Sequence, residues 1–108
     1  TPTFTVPYDG AITGYIFNFK SGSSQTYEVA VLTGNPNYAA AANTSLSQVG
    51  STQSQATTSG RRYLEGENDL SVSVSMGDII ICAMRRSTAD TSSTYYNYTD
   101  VTILLEAD

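Results

Sequence analysis

The sequence predicts an all-β domain, an antiparallel β-sandwich with jelly-roll topology, about seven or eight short strands and no substantial helix. Three observations carry this. Apolar residues recur at every second position in several short runs, most clearly Leu70, Val72, Val74 and Met76 with serines between them. Eight tyrosines, abundant Ser and Thr and a single lysine suit strands and turns, not helices. Gly-Asp and Asp-Gly pairs punctuate the runs as turn signals.

Phe4, Val6 and Tyr8 alternate with threonines, so residues 3–8 form a first short strand, and Pro7 assigns it to a sheet edge or strand end. Asp9-Gly10 is the turn that follows. In "ITGYIFNFK" the residues Ile12 and Ile16 occupy one face and Tyr15, Phe17 and Phe19 the other, because neighbouring side chains on a strand point oppositely. "KSGSSQ" is a turn, and Tyr27, Val29 and Val31 define a strand over 26–33.

From Gly34 to Gly60 the chain is small, polar and nearly chargeless. Ala39–Ala42 is too uniform for an amphipathic helix, and Asn35-Pro36 favours a turn. Leu46 and Val49 anchor at most a short strand in what is otherwise a long loop or weak edge. "RRYLEGEND" leads into a strand at 70–76. Gly77-Asp78 is either a hairpin turn or a corner between sheets. Beyond it Ile79 to Met84 is apolar on both faces. "STADTSST" is a loop, and "YYNYTDVTILLE" closes the domain, with Val101, Ile103 and Leu105 on one face and Leu104 on the other.

At 108 residues the chain is a single domain, 1–108, able to bury its own core. No apolar run approaches the roughly 18 residues of a transmembrane helix, so membrane insertion is not expected. "TPTFTVPYDG" has neither the basic start nor the apolar centre of a signal peptide, and Thr1 follows either Met removal or a longer chain. A net charge of −5 argues against nucleic acid; Arg61–Arg62 and Arg85–Arg86 read as solvated strand ends. A lone Cys82 excludes an internal disulfide framework, and its apolar neighbours make it a buried small hydrophobe.

The absence of histidine removes Ser-His-Asp and Cys-His machinery together with the commonest transition-metal ligand. Most acids lie at turns, so no acid–base pair for hydrolysis stands out. No enzyme activity and no cofactor are expected. Glu65, Glu67 and Asp69 alternate but do not match a calcium loop, and read as a charged entry to a strand. Tyr95, Tyr96 and Tyr98 are candidate surface-binding residues, for a sugar face or a protein, with ordinary strand packing as the plainer account. Asn97-Tyr98-Thr99 and Asn43-Thr44-Ser45 match the glycosylation pattern, which arises readily by chance in a Ser/Thr-rich chain.

"LSVSVSMGDIIICAMRR" resembles the alternating strand, Gly-Asp corner and apolar strand of the trimeric jelly-roll heads of complement and tumour-necrosis-factor type. "FTVPYDGAITGYIF" resembles the opening of bacteriophage fibre-head and virion decoration domains, and "VTILLEAD" is similar to their terminal strand. The resemblance implies a homotrimeric, non-enzymatic virion protein. It would be a fibre tip attaching to a host-surface glycan or protein, or a decoration protein stabilising the phage head, in contact with other virion proteins. A carbohydrate-binding sandwich is the alternative.

In such a trimer the strands apolar on both faces (15–19, 79–84 and 101–105) form an inner sheet towards the threefold axis. The one-sided strands 26–33 and 70–76 form the outer sheet. Tyr15, Phe17, Phe19, Ile80, Cys82, Met84 and Leu104 are then the candidate trimer contacts, and Asp9, Gly10, Gly77 and Asp78 the structural turns.

Overall fold

A computed structural model describes residues 3–21, 24–35, 46–86 and 98–108. It is an antiparallel β-sandwich of eight strands with no helix among the described residues. The strands are β1 (Thr3–Thr5), β2 (Gly10–Lys20), β3 (Thr26–Gly34), β4 (Leu46–Ala56), β5 (Arg62–Glu67), β6 (Val72–Val74), β7 (Ile79–Arg86) and β8 (Tyr98–Ala107). One layer has the order β1-β7-β3-β4. In the other, β2 is central, with β8 along one side and β5 and β6 sharing the opposite side. The chain crosses between layers after β1, β2, β4, β6 and β7, which winds it around the core.

The core lies between the layers. Ile12, Tyr15, Phe17 and Phe19 of β2 meet Tyr27, Val29 and Val31 of β3, with Val49, Ile80 and Cys82 completing the second layer. Phe19 packs edge-on against Tyr27 at 5.7 Å and stacks on Tyr63 at 5.9 Å. Each of these large side chains contributes roughly 1.5–3 kcal/mol when fully covered.

Four expectations are corrected. Ile12 shares the inner face with Tyr15, Phe17 and Phe19, because Thr13 is an extra residue in β2: Ile12 opposes Leu105 whereas Gly14 opposes Leu104. Such a bulge inverts the side-chain alternation on either side of it, so only Ile16 turns outward. Second, the two-sided strands do not share a sheet. β7 lies beside β3 in one layer, and β2 and β8 lie with β6 in the other.

Third, residues 46–56 form an eleven-residue strand in place of a long loop. An edge strand needs backbone pairing and few apolar anchors, and here β3 supplies the pairing and Val49 alone is fully buried. Fourth, the strand at 70–76 is confined to Val72–Val74.

Both predicted turns are corners. β1 and β7 belong to one layer and β2 and β6 to the other, so the segments 6–9 and 75–78 each carry the chain across the sandwich. Asp78 N–H donates to the Ser75 carbonyl at 3.0 Å, with Gly77 at φ +93° in the third position of this turn. That conformation is open to glycine and strained for other residues.

Candidate functional site

The apolar row Ile79, Ile81 and Ala83 on the outside of β7 is half-covered within its own layer. Ile81 has Thr3 on one side and Leu32 on the other, and Ala83 faces Ala30. A central strand thus shields its outward side chains with those of its neighbours. The beginnings of a small depression of about 210 Å³ lie there, rimmed by the exposed Glu28–Arg85 pair at 2.9 Å.

The opposite layer presents more apolar surface. Ile16 is 39 % exposed, Leu104 39 % and Leu64 66 %. They lie on three adjacent strands: Ile16 opposes Gly66 on β5 and Thr102 on β8, with Leu64 and Leu104 each two residues further along. An open groove of about 430 Å³ runs here, lined by Ile16, Leu64, Leu104, Gly66 and the 65–68 segment. Gly14 and Gly66 fit because a Cβ at either would strike backbone of the neighbouring strand.

Behind this face β5 turns Glu65 and Glu67 inward, opposite Phe17 and Tyr15. Tyr15 Oη donates to Glu67 Oε2 at 2.6 Å, and Ser51 N–H donates to the same oxygen at 3.0 Å. Ser51 reaches Glu67 because β4 bulges: Val29 opposes Gln53 while Val31 opposes Val49. Gly50, at φ +70°, leaves the room that the carboxylate fills. Burial, and then the Glu67 hydrogen bond and carboxylate charge, hold the Tyr15 hydroxyl well above the ordinary phenol range. The arrangement fastens β2, β4 and β5 together. No sequence pattern identified Glu67 as this clasp, since its partners lie 16 and 52 residues away.

Of the candidate trimer contacts, Tyr15, Phe17, Phe19, Ile80 and Cys82 are enclosed by the chain's own core, and Met84 is packed against it. That is a correction: the bulge at Thr13 and the pairing of β7 with β3 turn these residues inward, so they do not face a neighbour. Leu104 does face outward. Tyr95 and Tyr96 lie outside the described residues, as does the side chain of Tyr98. Asp9, Gly10, Gly77 and Asp78 stand at the two corners.

Among the described residues no three Asp, Glu, His or Cys side chains converge to hold a metal ion, and Glu65, Glu67 and Asp69 do not gather as a set. No helix among them is long and apolar enough to cross a membrane. Burial pushes the Cys82 thiol up to about 11, which keeps it protonated and unreactive at neutral pH. Comparison with known protein families, curated proteins and solved structures gives no match.

Proposed function

We propose that this chain is a non-enzymatic structural module of a virion, a fibre-tip or knob domain that works by associating with copies of itself and presenting a surface for attachment. The observation that carries the self-association is the aliphatic surface of Ile16, Leu64 and Leu104 on three adjacent strands. A cluster of exposed large aliphatic side chains on a sheet face marks an interaction surface. The virion setting rests on the resemblance of "LSVSVSMGDIIICAMRR" and "FTVPYDGAITGYIF" to phage fibre-head and decoration domains.

The groove is lined by aliphatic residues and acidic chain, not by a platform of aromatic rings, which favours a protein contact over sugar stacking at this face. The test is the mass of the purified chain in solution, by light scattering over micromolar concentrations. A defined oligomer is expected. A monomer at every concentration overturns the reading.

A further inference from the structure

From the open edge of β8 we infer that two copies of this chain pair antiparallel through that strand, in a register centred on Thr102. This rests on the self-association reading above and adds to it a contact through the sheet edge, separate from the aliphatic face. β8 spans Tyr98–Ala107 and pairs with β2 over that length on one side only; among the described residues no strand pairs with its other edge. An unpaired edge offers a row of N–H and C=O groups to another strand unless something blunts it.

The other edges among the described residues are short or blunted, β6 having only three residues. β1 has three residues and is followed by Pro7. β4 bulges at Gly50–Thr52. β5 turns the two carboxylates Glu65 and Glu67 inward. β8 has no proline, no lysine or arginine and no extra residue of its own, since the bulge it faces lies in β2. Among the described residues its edge is long and unpaired, with only the exposed carboxylates Asp100 and Glu106 along it.

Charge and pairing length together select the register: centring on Val101 or Leu105 also keeps the carboxylates apart, but it pairs less of β8 than centring on Thr102 does. A twofold axis normal to the sheet keeps outward residues beside outward residues, so even positions oppose even ones. Centring on Ile103 sets Asp100 of each copy against Glu106 of the other, and centring on Leu104 sets Asp100 against Asp108. Like charges directly opposite are destabilising. Centring on Thr102 places Thr102 against its own copy, Asp100 against Leu104 and Glu106 against position 98, and no carboxylate opposes another. The β2–β8 layers of the two copies then join as one continuous sheet, and the two sets of Ile16, Leu64 and Leu104 share its outer face, open to a further contact.

The experiment uses Thr102→Cys and Leu104→Cys in the full chain, oxidised mildly under native conditions, with Cys82 buried and unreactive. Thr102 and Leu104 are both exposed, so neither change disturbs the core. Directly opposed Cβ atoms lie close enough for a disulfide, whereas those displaced along the strands do not. Disulfide-linked dimer is expected at Thr102→Cys, at least tenfold more than at Leu104→Cys. Alternate amides of 99–106 should also gain protection from hydrogen exchange as concentration rises. An oligomer that gives no Thr102→Cys dimer overturns the β8 pairing and leaves self-association standing. Equal linkage at both positions overturns the register. A protein monomeric throughout overturns both.

Discussion

Asp9 Oδ1 accepts the backbone N–H of Met76 at 2.8 Å, tying together two corners that are 67 residues apart in the chain. The same corners are joined by backbone, with Val6 N–H donating to Asp78 O and Gly77 N–H donating to Val6 O, each at 2.8 Å. Asp78 Oδ2 in turn accepts from Ser75 N–H at 2.9 Å. Both aspartates therefore act on turn backbone, and both crossings between layers are held at one end of the sandwich.

Removing either carboxylate leaves a turn N–H to water. Asp9→Ala and Asp78→Ala should each lower stability by about 1 kcal/mol, because both bonds are solvent-exposed. Denaturant melts check this. A loss at Asp78 alone would show that the long-range tie from Asp9 contributes nothing.

Gly77 meets nothing where a Cβ would stand, so its φ of +93° is the whole penalty for substitution. Gly77→Ala and Gly77→Val should destabilise by roughly 1–3 kcal/mol, with the melting temperature as the measurement. Unchanged melting would mean the corner relaxes without strain.

Gly50 differs, since a Cβ there would collide with the Glu67 carboxylate as well as strain φ. Gly50→Ala should therefore cost more than Gly77→Ala. In a double-mutant cycle, Tyr15→Phe and Glu67→Gln should couple by about 1 kcal/mol or more, as expected for a hydrogen bond to a charged group. Additive effects would disprove the clasp.

Stability should fall at alkaline pH. The Cys82 thiol is raised from 9.0 to about 11 by burial, so the unfolded chain ionises before the folded one. The folded state's advantage is complete below about pH 9 and is lost as pH rises towards 11, amounting to at most about 3 kcal/mol. The Tyr15 hydroxyl, also raised, adds to the same trend. Cys82→Ala should flatten the Cys82 share of this slope, and thiol reagents should label the native protein slowly at neutral pH. Rapid native labelling would refute the burial.

The sequence alone determined the all-β class, most of the strands, the two corner positions at Asp9-Gly10 and Gly77-Asp78, and the buried, inert character of Cys82. These follow from local signals: period-two alternation, turn residues and an apolar neighbourhood. Tertiary structure decided which face of each strand is core. The single extra residue at Thr13 inverts the alternation along β2, and it shows only in the pairing with β8. Neighbour choice likewise explains why β7 is apolar on both sides, since Leu32 and Thr3 flank Ile81 only after residues far apart in the chain have paired. β4 was illegible for a related reason: an edge strand with one buried anchor is specified by the strand beside it, not by its own residues. The outward face of Ile16, Leu64 and Leu104 and the clasp at Glu67 are each assembled from three strands, so no local pattern could announce them.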